Sequence, residues 1–168
     1  NFIISFTEAN LQPKLNNASV VLDGNNVDPQ KIAVIGTERE AHFTESTDNI
    51  GTYYIKAGAD FRKEINALLD ANKKGLVLVD TNFSSRFNAL SRLNRQRLKN
   101  YSILVFILTN VTPTKYKVDV QQEVRDMKLA NVLGVLWGKS KKEEYVIFSG
   151  HYDHIGTGKS ENGDSINN

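Results

Sequence analysis

The sequence predicts an α/β fold, and three observations carry that prediction. Residues 51–80, GTYYIKAGADFRKEINALLDANKKGLVLVD, read as strand, helix and strand within one short stretch, the signature of a small parallel β-α-β layer. The first fifty residues break into short strand-like runs separated by Asn, Asp, Gly and Pro, which is turn chemistry. From Lys115 onward, apolar and polar residues alternate over a long run, as on a sheet with one buried face.

Each element follows from local pattern. Phe2–Phe6, Ser19–Leu22, Lys31–Ile35 and Ala41–Phe43 read as short strands, with Asp23-Gly24-Asn25-Asn26 as a turn between two of them. Thr52–Lys56 is a strand, and Asp60 is placed to cap the helix that follows. Phe61, Ile65, Leu68 and Leu69 fall on one face of that helix through about Lys73. Gly75 is expected to end it, and Leu76–Val79 forms the next strand. A second helix is expected from Ser84 or Ser85 to Lys99, with Phe87, Leu90 and Leu98 facing inward.

That second helix is basic, carrying Arg86, Arg92, Arg95, Arg97 and Lys99. Without interleaved aromatics, the charge run reads as a solvated face and not as a nucleic-acid surface. Tyr101–Thr109 is a strand buried on both sides, and Pro113 marks a boundary. Tyr116, Val118, Val120 and Val124 then share one face of an alternating strand. Asn131–Trp137 and Glu144–Ser149 are two further strands, and the short polar turn Gly138–Lys142 makes them antiparallel neighbours.

Composition sets the outer limits. At 168 residues the chain holds one ordinary domain, or one small domain plus part of another. A hydrophobic fraction of 40% with 24% charged residues suits a globular protein. The formal charge of +2 gives no global argument for nucleic acid or membrane binding. No apolar run approaches the ~20 residues that span a bilayer, so no membrane span is expected. The absence of cysteine excludes disulfides and thiolate metal sites. The chain opens on Asn with no signal-peptide pattern, as expected of a processed or excised piece of a longer protein.

The residues that carry chemistry stand at the end of the last apolar run. Tyr145–Phe148 is apolar without alternation, as in a strand covered on both faces. Ligands of open α/β sheets gather where such strands end. His151 stands there, after Gly150. In extended geometry His151 and Asp153 point to the same side. Asp153 can then accept the His151 ring N–H, fix its tautomer and leave the other nitrogen for a metal. Taken alone, His-x-Asp is a common pair that more often serves packing than ligation. His154 would suit a helix, which Gly156 and Gly158 argue against, so it reads as a supporting or packing residue. His42, in a polar loop after a short strand, has no visible partner and reads as incidental.

The closing stretch, NVLGVLWGKSKKEEYVIFSGHYDHIGTGKSENGDSINN, resembles the opening of the catalytic domain in zinc-dependent exopeptidases of the bacterial leucyl-aminopeptidase type. That family also includes glutaminyl cyclases and the catalytically silent transferrin receptors. The resemblance rests on Asn131, Val132, Gly134 and Gly138, the hydrophobic run, His-Tyr-Asp-His-x-Gly, and the trailing Asn162–Asn168. Residues 51–80 resemble the core of a protease-associated domain, in Phe61, Lys63 and the Lys74–Val79 strand. Asn72-Lys73, where that pattern has Ala-Gly, and the basic helix over 85–99 depart from it.

The resemblance implies a domain order and a chemistry. Residues 1–113 would be a protease-associated-like α/β domain, a β-rich layer with flanking helices. Residues 114–168 would be the first antiparallel strands of a mixed-sheet zinc-peptidase domain that continues beyond them. His151 would ligate one of two zinc ions, and Asp153 would be the catalytic-site carboxylate that supports it. The bridging aspartate, the glutamate base and the other ligands would lie after Asn168, so the fragment is expected to be inactive and to hold no zinc of its own. The whole protein would be an aminopeptidase hydrolysing N-terminal peptide bonds of a peptide substrate, in a periplasmic or secreted setting. A non-catalytic interaction module, as in the silent receptors, is the alternative. An exposed strand edge would offer a route to a dimer.

Overall fold

The computed structural model describes residues 2–90, 101–134, 139–141, 143–150, 156–161 and 164–167, with side chains described for 13–90, 101–125, 133–134, 139–141 and 143–150. Two compact units divide it, Phe2–Val132 and Leu133–Asn168.

The first unit is mixed α/β and layered. Its antiparallel sheet runs in the order β2-β1-β8-β4, built from β1 (Phe2–Leu22), β2 (Asn25–Asn26), β8 (Tyr116–Leu133) and β4 (Glu40–Thr44). The mixed sheet runs β3-β7-β6-β5, from β3 (Ile32–Ile35), β7 (Leu104–Leu108), β6 (Gly75–Val79) and β5 (Gly51–Ile55). In it β5, β6 and β7 are parallel, and β3 runs antiparallel to β7. The β5-to-β6 connection carries α1 (Phe61–Asp70), and α2 (Ser84–Phe87) follows β6.

Alternation along the mixed-sheet strands sends side chains to two separate cores. Leu76, Leu78, Ile103, Val105 and Ile107 face the antiparallel sheet and meet Val20, Phe43, Tyr116, Val118 and Val120. Val77, Val79, Leu104 and Phe106 face the helices and meet Phe61, Ile65, Leu69, Phe83, Phe87 and Leu90. Covered on both sides, β6 is buried along its whole length, which is why Leu-Val-Leu-Val carries no polar position. Phe61 and Phe83 stack with ring centroids 4.9 Å apart, and Phe43 meets Tyr116 edge-on at 6.3 Å. Each such fully buried side chain is worth about 1.5–3 kcal/mol.

Helix α1 matches expectation at its start and departs from it at its end. The Asp60 carboxylate accepts from the Lys63 N–H at 3.1 Å, so the cap is made as the sequence suggests. Phe61, Ile65 and Leu69 are buried and Leu68 is half-buried. The helix stops at Asp70, not near Lys73, and Gly75 does not end it. Asn72 takes a left-handed φ of 45°. The Lys73 N–H returns to Leu68 O at 3.0 Å and the Asn72 N–H to Leu69 O at 2.9 Å. This is a Schellman closure with asparagine in the place glycine usually holds. The Asn72 side chain also accepts from the Ser102 N–H at 2.9 Å, a tie from outside the helix that helps hold the strained residue. Gly75 serves the sheet instead. Its φ is +142°, and a β-carbon there would run into the carbonyl of Gly51, its partner on β5.

One further expectation is revised, and two others are met as far as the described residues go. The two short strands expected at Phe2–Phe6 and Ser19–Leu22 are one 21-residue strand. The alternating run after Lys115 forms β8, between β1 and β4 in the antiparallel sheet. The second helix is seen as α2 over Ser84–Phe87, with Phe87 and Leu90 buried; its expected basic stretch over 91–99 lies outside the described residues.

Candidate functional site

His151, Asp153 and His154 lie outside the described residues, so the expected zinc ligand and its supporting carboxylate have no described geometry. The approach to them is described. Residues 144–150 carry no regular secondary structure, which corrects the expected strand Glu144–Ser149 and its pairing with Asn131–Trp137. Of that partner run, Asn131–Leu133 ends β8, while 135–137 lie outside the described residues. Tyr145, Val146, Ile147 and Phe148 are 74%, 81%, 86% and 93% exposed. A strand apolar on both faces needs partners at its edges and cover above and below. Among the described residues after Leu133, the last residue of β8, regular structure is limited to the hairpin of β9 (Gly156–Glu161) and β10 (Asp164–Asn167), which pair with each other. With its side chains exposed and no strand partner among the described residues, the run stays outside a sheet. The hairpin is an element the sequence reading missed; Asn162-Gly163 between its strands is the turn signal that could have found it.

His42 is not isolated. The β4–β8 register sets it opposite Asp119, and its Nδ1 lies 3.1 Å from the Asp119 carboxylate. Glu40, two residues back on the same face, places an oxygen 4.0 Å from Nε2. The partner was invisible to sequence reading because it comes from a strand 77 positions away. All three side chains are substantially exposed, so the pair adds little to stability. No group of three or more His, Cys, Asp or Glu suited to a metal occurs among the described residues.

A polar cluster, with Gln122 buried and Glu38 and Lys74 half-buried, occupies the crossover from the mixed sheet to the antiparallel sheet. Gln122, on the inward face of β8, donates through Nε2 to the carbonyls of Gly36 (2.9 Å) and Glu38 (2.5 Å). The Glu38 carboxylate accepts from the Ile103 N–H at 3.2 Å and pairs with Lys74. One loop is thereby tied to β8 and to the residues just before β6 and β7. The Gln122 Oε1 is buried without a hydrogen-bond partner. The residues of this cluster hold the fold's corner, and none presents a reactive group to a cleft.

Two exposed carboxylates are tuned. The backbone N–H of Tyr116, donating at 2.9 Å, holds the Glu45 carboxyl below its ordinary value, with Lys115 adding to the effect. Arg125 does the same for Glu123 through a hydrogen bond at 2.8 Å, and Glu123 raises Arg125 in return. Along α1, Asp60, Arg62, Lys63, Asn66, Ala67 and Asp70 border an open, shallow depression. Among the described residues no helix is long and apolar enough to cross a membrane. No protein-family model, characterised protein or solved structure matches the chain.

Proposed function

We propose that the chain carries a protease-associated-like α/β domain followed by the opening of a di-zinc exopeptidase catalytic domain, in a protein that removes N-terminal residues from peptides outside the cytoplasm. The observation that carries this reading is the sequence from the end of β8 onward. An Asn131-Val132-x-Gly134 run, an apolar stretch and His-Tyr-Asp-His-x-Gly stand in the order of that family's first metal ligand. The β5-α1-β6 unit, with its capped helix packed on a parallel pair, supports the protease-associated part of the reading.

In this reading His151 gives an imidazole nitrogen to zinc, and Asp153 accepts the other ring N–H, which fixes the tautomer and raises the ligand's basicity. Zinc bound there would supply Lewis acidity and a water activated near neutral pH. The remaining ligands and the glutamate base must come from residues other than these 168. The exposed run Tyr145–Phe148 belongs, on this reading, inside the catalytic sheet.

The test is the coding sequence beyond Asn168 and the activity of its product. Gly-Ala-Asp-Asp directly after Asn168, Glu-Glu further on, and zinc-dependent aminoacyl-anilide hydrolysis abolished by His151→Ala are the expected results. Loss of those carboxylates in an otherwise similar continuation would leave a non-catalytic interaction module. Hydrolysis by the 168 residues alone would overturn the assignment of ligands.

A further inference from the structure

We draw no further inference here: the strongest candidate, the exposed apolar run Tyr145–Phe148 in the Leu133–Asn168 unit, carries nothing beyond the reading already given, because nothing in the structure shows what covers it.

Discussion

Gln122 is the polar side chain on which the corner between the two sheets depends. It lies on the buried side of β8, in line with Val120 and Val124, and its Nε2 donates to the carbonyls of Gly36 and Glu38. Gln122→Ala removes both of these hydrogen bonds from the corner. The expected loss is about 1–3 kcal/mol, read as a lower urea midpoint at unchanged slope. A shift below about 0.5 kcal/mol, the range of ordinary surface changes, would show that the corner holds without it. Glu45 makes a second prediction. Its folded pKa is depressed, so its contribution is complete above the ordinary glutamate value and is lost as pH falls through the depressed one. Glu45→Gln should therefore lower stability at neutral pH, with the gap to wild type closing in acid. A gap independent of pH would assign the effect to geometry instead of charge. The group is fully exposed, so the difference is expected to be small.

At the scale of elements, α1 shows how a short helix is held mainly by what it buries. Ten residues are too few to persist alone in water, and three side chains on one face anchor this helix to the mixed sheet. Leu69 is 1% exposed against Val77, Phe106 and their neighbours, whereas Leu68 only borders that core. Leu69→Ala is expected to cost about 2–5 kcal/mol, and Leu68→Ala clearly less, in thermal or urea unfolding. Equal costs would mean that the helix is rotated from the face described. The Asp60 cap and the Asn72 closure satisfy the ends of the helix. The start was readable because an N-cap is written in adjacent residues. The stop was misread because glycine is the common left-handed residue, and the choice of Asn72 depends on Ser102, thirty positions away.

For the whole molecule, stability is concentrated in the Phe2–Val132 unit, where both hydrophobic cores lie. Residues 143–150 are exposed, as are Lys139, Ser140 and Lys141, and none is in a strand or helix. Backbone without partners opens at little cost, so proteases should cut there first. Brief trypsin treatment is expected to cleave after Lys139 or Lys141, and chymotrypsin after Tyr145 or Phe148, leaving a resistant piece that contains β1 through most of β8. Mass spectrometry of the fragments would decide this. First cuts within β6 or β7, or protection of 139–149, would mean that the apolar run is covered after all.

The sequence by itself determined the features written within one turn or one strand: the β5-α1-β6 unit, the inward face of α1, the Asp60 cap, and the buried alternation of Tyr116, Val118 and Val120. Side-chain periodicity and capping act over a few residues, so they survive without knowledge of the rest of the chain. The tertiary structure decided where β8 lies, which residue closes α1, what faces His42, and that Glu144–Ser149 stays out of a sheet. Each of these depends on a partner far away in sequence, or on the lack of one. An apolar run carries the propensity to form a strand, but only a neighbouring strand and cover on both faces turn that propensity into one.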